Sequence, residues 1–215
     1  MSGDFRTSPD GGAVVSLTRW ASVWSDLLQT DMALKKRREL ANDLENGFLR
    51  RALWEAAVVA YGRMAMSMRK RNVDFDALLR DVGGADVLAL HERIMDWRHG
   101  HVAHRRDAEF EDVELTAQFA GRGGAQPVIA LHLRVSSSIG PPDDDEFVRE
   151  FAAFVEALRN RLWATRLAPL AAEVAEQIAT DPSAADTAEL WVTAQPADRL
   201  IADMTLWDHN TGTGM

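Results

Sequence analysis

The apolar residues of this chain keep one spacing almost throughout and abandon it once. From Leu17 to Val102, and again from Phe147 to Leu162, they recur every three or four positions, which places them along one side of a helix. Between Val113 and Val135 they recur every second position, which places them on one side of a strand. Val113, Leu115, Ala117 and Phe119 alternate with Glu114, Thr116 and Gln118. Ile129, Leu131, Leu133 and Val135 alternate with Ala130, His132 and Arg134, and Gly121 to Pro127 supplies the turn. The expected fold is therefore mainly α, an antiparallel helical bundle with a β-hairpin inserted at 111–136. His132, on the polar face of the hairpin, is expected in solvent.

Residues 1–15 carry glycines, Pro9 and scattered polar groups and read as flexible, with Ser16 as the cap of a first helix. Leu17, Trp20, Trp24, Leu27 and Leu28 share a face of that helix. Asp31 to Asn42 continues it or forms a second short helix. Its basic run, Lys35-Lys36-Arg37-Arg38, is either a solvated face or a contact for phosphate or an acidic partner. Leu44 to Met68 is the most hydrophobic helix. One stripe runs through Leu49, Leu53, Ala57, Ala60, Met64 and Met68, and a second through Phe48, Ala52, Ala56 and Val59. Two stripes predict a central helix touched by several others, with Met64, Met66 and Met68 filling core gaps. Tyr61, the only tyrosine, reads as a core ring whose hydroxyl reaches a partner.

Met68 to Asp74 reads as a basic loop, after which Asp74 caps a short helix, Phe75 to Val82, ended by Gly83-Gly84. The next helix begins at Ala85 or Asp86 and is expected to bury Leu88, Met95 and Val102 along one side. Asp143 to Glu146 opens a long helix with Phe147, Phe151, Phe154, Leu158, Leu162 and Thr165 as its stripe. Pro169 kinks or ends it, and a further helical piece reaches Thr180. The bundle is thus expected over 16–180. Residues 181–215 form a weakly docked tail, disordered from Asn210.

The net charge of -9 argues against broad coating of nucleic acid, which needs a basic surface, but leaves room for a small basic cleft. Without cysteine there are no disulfides and no thiolate metal sites. No apolar run approaches the roughly 18 residues of a membrane span. Met1 to Gly12 holds no secretory core, so a cytoplasmic protein with no membrane partner is expected.

The segment from Leu90 to Asp107 is where foldability and composition conflict. It starts as a helix with Leu90, Ile94 and Trp97 at helical spacing, then gives up apolar residues for Arg98, His99, His101, His104, Arg105 and Arg106. Packing such groups together costs desolvation and repulsion, so function is expected there. Three chemistries fit. In the first, His99, His101, His104 and Asp107 ligate a metal, although His101 and His104 are not at the usual (i, i+4) spacing and the arginines oppose a dication. In the second, a histidine moves protons at the 2′-hydroxyl or leaving oxygen of RNA while an arginine fork stabilises the charged transition state. Arg98 with His104 supplies both without a metal. On an ideal helix of ~3.6 residues per turn, positions six apart point roughly 120° apart. Gly100 relaxes the helix between them, or a symmetric dimer builds the site from two chains. In the third, the segment is a structural polar network with Asp96, Asp107 or Glu111.

The run Arg98-His99-Gly100-His101-Val102-Ala103-His104 resembles the R-x(4-6)-H signature of HEPN-domain proteins, with polar His99 directly after the arginine. It lies late in a helix and comes after the Ala-rich helix around Arg51 to Arg63, a pairing similar to bacterial HEPN-like proteins of the abortive-infection type. The resemblance covers Leu44 to Glu111 and, loosely, the helix after Asp143. It implies an α-helical bundle that forms a homodimer, and a metal-independent endoribonuclease in toxin–antitoxin or phage-defence systems, with an antitoxin protein as a partner. It makes Arg98 and His104 the catalytic pair with His99 as the supporting polar residue, and calls for no metal or cofactor; the neighbouring His101 and Arg105 are expected, with His99, to contact the substrate. Other members of the family are inactive scaffolds or nucleotide-binding modules, and the alternative for this chain is a non-catalytic dimerisation or interaction module. In such a module the same motif would be a structural network.

Overall fold

The computed structural model describes residues 5–6, 10–83, 85–103, 111–123, 127–181, 189–190 and 205–206. The chain is mainly helical with a small antiparallel hairpin. Its elements are β1 (Phe5–Arg6), α1 (Gly12–Glu39), α2 (Leu44–Met66), α3 (Met68–Arg71), α4 (Phe75–Val82) and α5 (Ala85–Asp96). A π-helical segment (Trp97–Ala103) leads towards β2 (Glu111–Phe119) and β3 (Val128–Ser137). Then come α6 (Glu146–Leu162), a second π-helical segment (Trp163–Leu167), α7 (Ala168–Ala179) and β4 (Glu189–Leu190). No helix among the described residues is long and apolar enough to cross a membrane.

The chain divides into two compact units, Asp26–Ser67 with Gly83–Glu156, and Met1–Ser25 with Met68–Val82 and Ala157–Met215. The core of the first is built on α2. Arg50, Trp54, Ala57, Val58, Tyr61, Met64 and Ala65 are buried, at three- and four-residue spacing. Around Trp54 stand Trp97 at 5.3 Å and Phe151 at 6.0 Å, both edge-on. Phe147 and Phe151 come from the first turns of α6, and Ile94 of α5 is fully buried as well. Asp43 starts α2 by accepting a hydrogen bond from the Asn46 N–H.

In the second unit Trp24 of α1 meets Trp163, with ring centroids 6.5 Å apart. The Arg159 and Arg166 guanidiniums lie over Trp24 and Trp20, at 5.3 and 5.7 Å. Phe75, Leu78 and Leu79 of α4, and Leu158, Leu162 and Leu167, are buried. Asp74 caps α4 through the Ala77 N–H at 2.8 Å, as its position before the apolar pattern predicts. Pro169 sits in the first turn of α7, and the helical winding passes it by way of the π-helical turn Trp163–Leu167 rather than stopping.

The hairpin register pairs Val113 with Val135, Leu115 with Leu133 and Ala117 with Leu131, and slips by one residue between Gln118 and Phe119. His132 is exposed and meets Gln118 Oε1 at 3.0 Å. Several expectations are corrected. The first helix starts at Gly12, before Ser16; of the two readings of Asp31 to Asn42 the continuation holds, as far as Glu39, because no proline or internal glycine interrupts the helix. The basic stretch after Met68 is not a plain loop: Met68–Arg71 makes a short helical turn, closed by Asn72 at a φ of 51°. The second stripe of α2 is not covered, since Phe48 is 84% and Val59 40% exposed, and Met66 is exposed rather than filling the core. Leu88 is also exposed; α5 buries Ile94 instead. The tail beyond residue 190, including Asn210 to Met215, lies outside the described residues apart from 205–206.

Candidate functional site

The site is assembled on α2 and the segment just beyond α5. Where α5 would continue, the chain widens into π-helical winding from Trp97 to Ala103, a geometry that is rare and concentrates at functional sites. Trp97 anchors its start, with its ring edge-on to Trp54 and stacked on Phe147 at 6.4 Å. Arg98 comes next and is half-buried. Its aliphatic stem lies directly on Gly62 of α2. A Cβ at residue 62 would stand 2.5 Å from Arg98 Nε and closer still to Cδ. Glycine in mid-helix costs about 0.5–1 kcal/mol relative to alanine, so this one is explained by the arginine it admits.

The neighbouring residue fixes the other side of the contact. Tyr61 is fully buried, and its hydroxyl lies 2.6 Å from His91 Nδ1 of α5. Burial pushes the Tyr61 hydroxyl well above the usual phenol range, so it keeps its proton. Donating that proton to Nδ1 satisfies an O–H that burial would otherwise orphan, and leaves the imidazole proton on Nε2. Tyr61–His91 thus links α5 to α2 one residue from the Gly62 cradle.

The guanidinium of Arg98 makes no hydrogen bond or ion pair with the described residues. Several other arginines of this unit are matched, Arg51 with Glu55 at 2.8 Å, Arg63 with Asp26 at 2.5 Å and Arg93 with Glu150 at 3.2 Å, while the exposed Arg38 and Arg122, like Arg98, have no such partner among the described residues. Asp96, one partner expected for a structural network, is exposed and does not take Arg98. His99, the next residue, is exposed. The side chain of His101, and all of His104, Arg105 and Asp107, lie outside the described residues. Among the described residues no three histidine or carboxylate groups gather as metal ligands.

A second charged cluster escapes motif reading. Arg37 and Arg50 are each 1% exposed and share one carboxylate, Asp143, at 2.5 Å each. Arg37 also donates to the Pro141 carbonyl at 2.6 Å, and Arg50 to the Leu40 carbonyl at 2.7 Å. Burial, more than the neighbouring Arg50 charge, lowers the Arg37 pKa, while Asp143 works the other way. Of the basic run at 35–38, Arg37 is therefore neither a solvated face nor a phosphate contact. Lys35 and Lys36 pair with Asp31 and Glu39. The cluster ties the ends of α1 and α2 to the loop before α6; α6 itself opens at Glu146, with Asp145 accepting from the Phe147 N–H. The sequence stripes through Leu49 and Phe48 both miss Arg50; only the structure places it on the buried stripe of α2, where a charge needs a buried partner.

Compared with protein-family models, with curated proteins and with solved structures, the chain matches none.

Proposed function

We propose that this chain is a HEPN-like, metal-independent endoribonuclease, with Arg98 and His104 as its catalytic pair. The observation that supports this reading is the state of Arg98: seated on Gly62, half-buried, in a π-helical turn, without a carboxylate among the described residues to neutralise it. A fixed and unpaired guanidinium is suited to the two non-bridging oxygens of a phosphodiester. His104 takes the 2′-hydroxyl proton, the 2′-oxygen attacks phosphorus, and the bond to the 5′-oxygen breaks as the protonated His104 gives that proton to it. Arg98 carries the charge that builds on the phosphoryl oxygens. His99, His101 and Arg105 contact the RNA backbone. The products are a 2′,3′-cyclic phosphate and a 5′-hydroxyl. The chain acts as a homodimer of HEPN-like bundles in the cytoplasm, held in check by an antitoxin protein, in a toxin or phage-defence system.

The test is RNA cleavage by the purified chain with a chelator present. Cleavage with cyclic-phosphate ends, lost in Arg98→Ala and His104→Ala while the fold is retained, supports the reading. Equal cleavage by parent and variants ends it. One observation favours a second reading, a non-catalytic interaction module: the hairpin leaves its apolar face open. That reading expects no cleavage and a His104→Ala variant whose main defect is a lower melting temperature.

A further inference from the structure

The β2–β3 hairpin has two unlike faces. One carries the Glu114–Arg134 ion pair at 3.8 Å and the His132–Gln118 hydrogen bond, groups that belong in water. The other carries Val113, Leu115, Leu131, Leu133 and Val135, with Phe119 towards the turn. Each of these six is more than half exposed; Leu131 reaches 67% and Leu115 65%. An isolated two-stranded hairpin is marginal in water, and strict alternation is the pattern of a sheet with one face covered.

The geometry points to a second copy of this chain as the cover, with the two hairpins packed face to face about a two-fold axis. The central rung, Leu115 opposite Leu133, lies nearest the axis. The alanine of the next rung, Ala117, leaves room for the Leu131 side chains to interdigitate. Area favours this occupant. The six side chains present roughly 500 Å² of apolar surface, at the upper end for a monomer patch. Two such faces bury about 1,000 Å², which is where specific interfaces begin. Charge favours it too. At a net charge of -9 two copies repel over most of their surface, and from Val113 to Phe119 and Leu131 to Val135 this face carries no ionisable group. A basic or nucleic-acid partner would find nothing to pair with on it. The inference rests on the homodimer proposed above, to which it assigns an interface, and does not depend on whether the chain cuts RNA; a dimer that survives both lysines would overturn the interface and leave the homodimer standing.

The experiment is sedimentation equilibrium of the full chain, with Leu115→Lys and Leu133→Lys each compared with the parent. The expected result is a parent dimer that each lysine weakens at least tenfold, with unchanged helical circular dichroism. Because the chain has no cysteine, a Leu133→Cys variant should also cross-link to a disulfide dimer on mild oxidation. Three results overturn the proposal: a parent that stays monomeric, a dimer that survives both lysines, or loss of helical signal in both lysine variants, which would mean that the face packs within its own chain.

Discussion

Replacing Asp143 by asparagine should destabilise the protein more than any other single charge neutralisation in the unit formed by Asp26–Ser67 and Gly83–Glu156. Two guanidiniums, each 1% exposed, rest on its two oxygens at 2.5 Å. The variant keeps the shape but leaves two buried like charges sharing a neutral amide. Removing one partner of a buried ion pair costs about 3–5 kcal/mol. Two facts pull in opposite directions here. The second guanidinium raises the cost, while the 26% exposure of the Asp143 side chain admits water and lowers it. The carbonyls of Pro141 and Leu40 still hold one nitrogen of each arginine, so the lower figure, about 3 kcal/mol, is expected. For a chain of this length that is a fall in melting temperature of about 6–12 °C. The assay is urea unfolding followed by circular dichroism, with Arg93→Gln as control. Arg93 and Glu150 are 56% and 45% exposed, and losing that pair should cost about 0–1 kcal/mol. An Asp143→Asn loss no larger than the control would refute the reasoning, because the carboxylate would then not be what keeps two charges inside.

Three further outcomes rest on single contacts. Gly62→Ala should change stability by less than about 1 kcal/mol, since the helix gains roughly what a displaced, flexible arginine loses; RNA cleavage should fall about 10²-fold as the guanidinium moves, and an unchanged rate would show that the cradle does not position it. Tyr61 is the only tyrosine, so tyrosinate absorbance reports on it alone. Its pKa is raised in the folded state, so its stabilising contribution is complete below about pH 10 and is lost as pH climbs above that value at up to about 1.4 kcal/mol per unit; absorbance should rise only with unfolding, and ionisation near pH 10 in folded protein would contradict the burial. Gly140→Ala should cost about 2–4 kcal/mol by denaturant unfolding, because the residue has φ of 91° and a Cβ would stand 2.7 Å from Trp54 Cγ; a neutral result would mean that the loop can move off the tryptophan.

The helices and the hairpin were legible because periodicity is a local signal. Asp74 before Phe75, or the alternation from Val113, needs no knowledge of what lies opposite. What stayed hidden was long-range. Phe48 and Ile94 look equally apolar in sequence, yet one is 84% exposed and the other fully buried, because only the packing partner decides which side of a helix is inside. Asp143 reads as an acid at a helix start, a role that Asp145 fills with a hydrogen bond to the Phe147 N–H, while Asp143 answers arginines 106 and 93 residues away. No pattern within a window of helical length contains that pairing.

Gly62 shows how the two kinds of information join at the site. Within its own helix it is only a weak residue in a strong, alanine-rich element. Beside Arg98 it is the reason a long cationic side chain can lie against α2 at all. Any larger residue there would push the guanidinium away. An ordinary helical turn at Trp97–Ala103 would aim it elsewhere, since a wider turn changes the direction in which each later side chain leaves the axis. A glycine that weakens α2 and a winding that weakens the end of α5 are two separate local costs that meet at one side chain. Neither improves the core, so stability alone does not account for their coincidence. They meet at Arg98, whose guanidinium has no carboxylate partner among the described residues.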